Sequence, residues 1–119
     1  VKLTPETRGI ITAEDLAQMR AGSVLVNTSR SGLIAPGALL DGLNAGRPGM
    51  AALDVFDTEP LHNPADALMS HPSVICTPHI GFVTEDELDM QFGDIYDQIN
   101  AYAAGAPIHP ANPEVIRKG

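Results

Sequence analysis

Cysteine occurs once, tryptophan is absent, and the aromatics number only two Tyr and three Phe in 119 residues. A single thiol, Cys76, excludes an internal disulfide. Its place in an apolar run reads as a small buried hydrophobe in a reducing compartment. Basic residues are scarce too: 7 Lys and Arg against 15 Asp and Glu leave a net charge of −8. Such a chain repels nucleic acid and anionic membrane surfaces, so neither is expected as a partner. No Cys-x-x-Cys and no histidine pair at ligand spacing occurs, and no metal is expected. No apolar run approaches the roughly 20 residues of a spanning helix. Nor does a basic segment followed by an apolar one open the chain as a secretory signal would. What remains is 44% apolar and 18% charged, a globular composition with enough residues for one small cored domain. A cytoplasmic location is the expectation.

The elements that are present alternate in type. "TAEDLAQMR" reads as a short helix, with Thr12 as N-cap, Asp15 at the capping-box position and Gly22 beyond the end. "SVLVNTS" (23–29), "MAALDVF" (50–56) and "SVICT" (73–77) are strand-like runs. "PGALLDGLNAG" between the first two is a helix with Pro36 in its first turn and Gly46 at its C-terminal cap. "PADALMS" reads as a single helical turn. A longer helix follows Thr84, which forms a capping box with Glu87, and carries Leu88, Phe92, Ile95, Ile99 and Tyr102 at steps of three and four. Gly105 and Pro107 end it. The pattern predicts an α/β fold: a partial, Rossmann-like parallel sheet, covered on both faces, with a long C-terminal helix. Residues 1–104 form the domain portion and 105–119 a tail. Because "VKLTPET" opens without a start methionine or a cap, the chain reads as a fragment.

The chemistry lies just past each apolar run. Arg30 follows the first, "DTEP" with Glu59 the second, and His79 the third, in "CTPHIGF". Parallel strands all point one way, and neighbours lie about 4.8 Å apart. Residues leaving three adjacent strands therefore converge on the edge where open α/β sheets bind ligands. Each has a plainer reading: His79 as a turn residue, Glu59 as loop charge, Arg30 as a helix-end or surface partner. Asp54 inside an apolar run needs a partner, whether protein or ligand, because an unpaired buried carboxylate is costly. Their coincidence at strand ends favours a reaction centre. Arg offers a bidentate fork for a carboxylate, His a proton near neutrality, and Glu a partner that orients the ring. Together they suit a 2-keto or 2-hydroxy acid, with hydride supplied by a cofactor.

At these residues the sequence resembles the D-isomer-specific 2-hydroxyacid dehydrogenases, the family that includes D-3-phosphoglycerate dehydrogenase. The likeness runs through "LTPETRGII" (3–11), "GSVLVNTSRSGLI" (22–34), "AALDVFDTEP" (51–60) and "HPSVICTPHIG" (71–81). The resemblance implies an NAD-dependent oxidoreductase, with NADP not excluded, that is a homodimer when intact. Its catalytic residues would be Arg30 on the substrate carboxylate, His79 as acid/base and Glu59 as partner of His79. Its cofactor contacts would be Thr28, Ser29, Arg30, Asp54, His79 and Gly81.

The departures are specific. Lys2-Leu3 stands where relatives carry a Pro-Leu pair, and Ser31 replaces a glycine common after the arginine. No Gly-x-Gly-x-x-Gly with a following acidic residue occurs in these 119 residues, so the likeness covers only the C-terminal part of the cofactor domain. The chain alone is accordingly expected to bind cofactor weakly and to be inactive. A second reading is an inactive, truncated relative serving as an interaction module. A phosphoacceptor signalling domain, suggested by Asp54 at a strand end, lacks the acidic pair and the lysine such domains need.

Overall fold

Three short runs of β-branched and small apolar residues pair in parallel and in chain order. In the computed structural model, which describes residues 1–115, they are β1 (Val24–Asn27), β2 (Met50–Leu53) and β3 (Val74–Cys76). Val24 pairs with Met50, Val26 with Ala52, and Ala52 in turn with Ile75. Each strand is two or three residues shorter than the apolar run that announced it. The trailing residues leave the ladder to make turns, and that departure builds the site.

The helices are set by their ends. In α1 (Ala13–Ala17) the Thr12 hydroxyl accepts from the Asp15 amide while the Asp15 carboxylate accepts from the Thr12 amide, a complete capping box. The helix stops at Ala17, short of the expected extent, so Gly22 is not its cap. In α2 (Ala38–Asn44) the N-cap is Gly37 at φ 77°, and Pro36 stands outside the helix rather than in its first turn. Gly46, at φ 79°, closes the other end: its amide reaches the Leu43 carbonyl and the Arg47 amide the Gly42 carbonyl. "PADALMS" forms turns, among them a single turn closed by the Ser70 amide on the Asp66 carbonyl at 3.0 Å, while the Asp66 carboxylate accepts from the Leu68 and Met69 amides.

The chain divides into two compact units, Val1–Gly81 and Phe82–Gly119. The first holds the sheet and its core. Leu16 from α1 and Leu39 and Leu43 from α2 pack with Ile34, Ala38, Ala51 and Leu53. Burying each leucine contributes about 1.5–3 kcal/mol. This core covers one face. On the other, Val24, Val26, Met50 and Ile75 are about half exposed, at 51, 63, 45 and 61%. The expected cover on both faces is therefore absent among the described residues. Alternation explains the split: within β2, Ala51 and Leu53 point into the core while Met50 points away.

The second unit contains α3 (Glu85–Ala103), capped by the Thr84 hydroxyl on the Glu87 amide. The box is only half formed, because the Glu87 carboxylate accepts from the Gln91 side-chain amide at 2.6 Å instead. Gly105 at φ 76° ends the helix as expected. None of its residues is buried. No helix among the described residues is long and apolar enough to cross a membrane. The expected tail, 105–119, extends at 116–119 outside the described residues.

Candidate functional site

At the carboxyl ends of the three strands the backbone turns sharply, and a side-chain acceptor, Asn27, Glu59 or Asp54, holds each turn. After β1, Asn27 is buried and makes two bonds. Its Oδ1 accepts from the Ser29 amide at 3.0 Å and its Nδ2 donates to the Arg30 carbonyl at 3.0 Å. This curl presents Thr28, Ser29 and Arg30 at the edge. The sequence reading missed Asn27; the signal was a polar amide ending an apolar run. The Ser29 hydroxyl donates to the Val1 carbonyl at 3.0 Å. Arg30 is exposed, and its Nη1 donates to the Ser29 carbonyl at 2.6 Å.

After β2 comes Asp54, only 3% exposed. Its carboxylate accepts three donors from the turn after β3: the Thr77 hydroxyl and the Ile80 amide (2.9 Å) on Oδ1, and the Gly81 amide (2.7 Å) on Oδ2. The question of protein or ligand partner is thus met by the protein for most of its capacity, since a carboxylate offers about four acceptor sites. The Thr77 hydroxyl foremost holds the Asp54 carboxyl below the usual range; burial opposes, and the two amides and the nearby His79 add to the lowering.

Glu59 and His79 meet directly. His79 Nδ1 lies 2.5 Å from Glu59 Oε2, while Glu59 Oε1 accepts from the Phe56 amide at 2.8 Å. Both are about one-third exposed. The His79 contact and then the Phe56 amide hold the Glu59 carboxyl below its ordinary value, against burial, and the charges of His79 and Arg30 lower it further. Arg30 is therefore within electrostatic reach of the pair. A cavity of 290 Å³ containing Phe56, Leu61 and Met69 backs Glu59 and His79. A larger hollow of 610 Å³ beside α2 includes Asn27 and Asp57 but neither member of the pair. Cys76 is half-buried, and burial, with the Asp66 charge second, pushes its thiol up, as suits an inert packing residue.

Gly81 closes the arrangement. A Cβ there would stand 2.9 Å from Asp54 Oδ2 and 3.2 Å from Thr28 Cβ, so the ends of β1 and β3 approach as closely as a bare backbone allows. Among the described residues no group of three or more His, Cys, Asp or Glu could hold a metal ion. All seven residues singled out in the sequence lie in one unit at one sheet edge. Glu59 and His79 touch, Asp54 lies beneath the turn, Thr28 abuts Gly81, and Ser29 and Arg30 flank them.

The two depressed carboxylates make a pH prediction. Each binds its proton more weakly in the folded chain than in the unfolded one. Their contribution to stability is full above the unfolded values, about 3.9 for Asp and 4.3 for Glu, and is lost as pH falls through the lower folded values. Urea midpoints for the chain should hold from pH 7 to about 5 and drop below about 4. An Asp54→Asn, Glu59→Gln variant should show a shallower drop. Glu6 and Asp15, lowered chiefly by bonds to Thr4 and Thr12, account for part of what remains. Identical slopes for the two proteins would refute the assignment.

Residues 1–81 match the family described as "D-isomer specific 2-hydroxyacid dehydrogenase, NAD binding domain". Among curated relatives, D-3-phosphoglycerate dehydrogenase of Bacillus subtilis is 38% identical over 110 residues, 92% of this chain and 20% of that protein. Among solved structures, an oxidoreductase from Ralstonia solanacearum of the D-3-phosphoglycerate dehydrogenase type superposes with a TM-score of 0.86 at 41% identity, covering 98% of this chain and 34% of that one. A D-isomer specific 2-hydroxyacid dehydrogenase from Xanthobacter autotrophicus, solved with NADPH and MES, matches at 33% identity and a TM-score of 0.68 over 91% of this chain and 43% of that one. The chain thus spans a fifth of the Bacillus relative and about a third of the Ralstonia chain.

Proposed function

The chain belongs to the D-isomer specific 2-hydroxyacid dehydrogenase family through its NAD-binding domain, and from that premise we propose that it carries the nicotinamide-side half of a reaction centre. The reaction is hydride exchange between a nicotinamide cofactor and a small D-2-hydroxy or 2-keto acid, of the phosphoglycerate class by the likeness to the Bacillus and Ralstonia proteins. The observation that carries this reading is the Glu59–His79 contact on the edge that also bears Arg30.

The edge suits a flat ring. A side chain at 81 would run into Asp54 Oδ2 and Thr28, so the bare Gly81 lets the turns after β1 and β3 close on each other at that edge. Thr28, Ser29, Arg30, Asp54, His79 and Gly81 are the residues we assign to the cofactor. NAD is the expected form; the Xanthobacter relative was solved with NADPH. When bound, the nicotinamide supplies or accepts the hydride that no side chain carries.

The protein's own steps are simple. Arg30 pairs with the substrate carboxylate and orients the carbonyl. As hydride reaches the carbonyl carbon, the C=O electron pair moves to oxygen, which takes a proton from His79 Nε2 and becomes the hydroxyl. Glu59 holds Nδ1–H and offsets the ring's positive charge. In oxidation the same ring accepts the hydroxyl proton. We further assign residues 1–104 to the cofactor domain with its returning helix and 105–119 to a tail. A homodimer for the intact protein rests on the family likeness alone; the charge of −8 fits the absence of nucleic-acid and membrane partners, and the single thiol fits the cytoplasm.

A chimera in which these residues replace the matching third of the Ralstonia oxidoreductase tests the proposal. It should reduce a small 2-keto acid with NADH or NADPH and yield the D product. A folded chimera that binds NADH yet reduces no 2-keto acid would sink it.

A further inference from the structure

His79 sits in a conformation that its own side chain disfavours, and one carboxylate holds both flanks of it. Its φ is 57°, in the left-handed region that residues with a Cβ rarely occupy. Within the turn the His79 amide donates to the Thr77 carbonyl at 3.1 Å. Asp54 adds bonds on both sides of it. The Ile80 and Gly81 amides, just after the histidine, bond to its two oxygens at 2.9 and 2.7 Å. The Thr77 hydroxyl, two residues before, bonds to Oδ1.

We propose that Thr77 is a positioning residue for this reaction centre: its hydroxyl fixes the plane of the Asp54 carboxylate, and that carboxylate in turn fixes the left-handed turn that delivers His79 to Glu59. The inference rests on the reading of His79 as the proton carrier only for its effect on turnover; its structural half stands apart from that reading.

The geometry explains why a hydroxyl is needed. A carboxylate on a short side chain rotates about its Cβ–Cγ bond unless both oxygens are tied. The two amides tie one oxygen each but come from adjacent residues, so they can follow the carboxylate as it swings. Thr77 approaches from the other arm of the turn, and with it the carboxylate is braced from two directions. The histidine between the two arms then has one place to stand. That place puts Nδ1 within 2.5 Å of Glu59, whose other oxygen is held by the Phe56 amide. Three anchors from the loop that follows β2, at Asp54, Phe56 and Glu59, thus define the ring position. A displacement of about 1 Å at a reacting group can cost 100-fold in rate.

The test uses Thr77→Val, which keeps the shape and removes the donor, with Thr77→Ser as the restoring variant. Thr77 is exposed and follows β3, so the fold should survive; Thr77→Ala serves if valine disturbs the strand end. In nitrogen-15 spectra of the chain, the His79 Nδ1 signal should leave its hydrogen-bonded position in the valine variant. The Ile80 and Gly81 amides should exchange about tenfold faster or more, and serine should restore both. In the chimera, kcat should fall by about 10- to 100-fold with KM for the cofactor little changed, again restored by serine. Native ring and amide signals in the valine variant would overturn the proposal whatever the turnover. Shifted signals with unchanged kcat, in a chimera whose rate depends on His79, would overturn its functional half. A chimera indifferent to His79 itself would instead count against the proposed reaction, and the spectra alone would then decide what Thr77 does.

Discussion

Replacing His79 with Gln in the chimera is expected to lower kcat by about 10²- to 10⁴-fold, the usual span of a lost general acid/base, with cofactor affinity within about twofold. Glutamine can still donate to Glu59 and fills similar space, but it cannot gain and lose a proton in this range. The loss should appear equally in kcat and kcat/KM, because the proton moves only in the transition state. One feature of the fold demands a control. The position is left-handed, at φ 57°, and glutamine is less at ease there than asparagine. A His79→Asn variant keeps the backbone content and also removes the titrating ring. If both variants lose turnover while still binding NADH, the chemistry and not the turn is at fault. An unaltered rate in either would remove His79 from the mechanism.

The second large effect is on stability and lies far from the chemistry. Gly49→Ala should destabilise the chain by about 3 kcal/mol or more, the upper end for forcing extra volume into a packed site. A Cβ there would lie 1.9 Å from the Ala21 carbonyl oxygen, well inside contact distance and against backbone that cannot rotate away. The same segment carries the Gly49 and Met50 amides to the Ser23 carbonyl at 3.1 and 3.2 Å, which sets where β2 begins against β1. Relieving the clash would pull those bonds apart. Gly22→Ala is the natural control, since nothing lies within 4 Å of its would-be Cβ. Thermal unfolding by circular dichroism should show the Gly49 variant melting about 10 °C lower or more and the Gly22 variant near the parent. Equal melting would mean that the α2–β2 connection yields far more than its packing implies.

Both effects mark where legibility ended. His79 alone reads as a turn residue; it was conspicuous in the sequence because Arg30 and Glu59 occupy the same place after their own apolar runs. Gly49 carried no such mark. It reads as one more turn residue before "MAALDVF", and only the nearness of a carbonyl 28 residues earlier makes it irreplaceable. Asp54 falls between these cases. Its need for a partner was legible, whereas the partners, 23 to 27 residues along the chain, were not. Asn27 and Thr77 escaped notice because threonine and asparagine near turns are common, and nothing local distinguishes a bond to a distant carboxylate from a bond to water.

By itself the sequence determined the parts whose causes lie within about four residues: the Thr12–Asp15 box, the glycines that end α2 and α3, the strand-like runs, and the family likeness that binds them in order. It also showed a guanidinium, a carboxylate and an imidazole just past three successive strand-like runs. The tertiary structure alone decided which of these touch, how far each strand extends, which sheet face is buried, and what holds the histidine in place. The physical reason is range. Caps and periodicity are settled between neighbours on the chain, while strand register and the pairing of a buried carboxylate exist only once distant segments have been brought within a few ångströms.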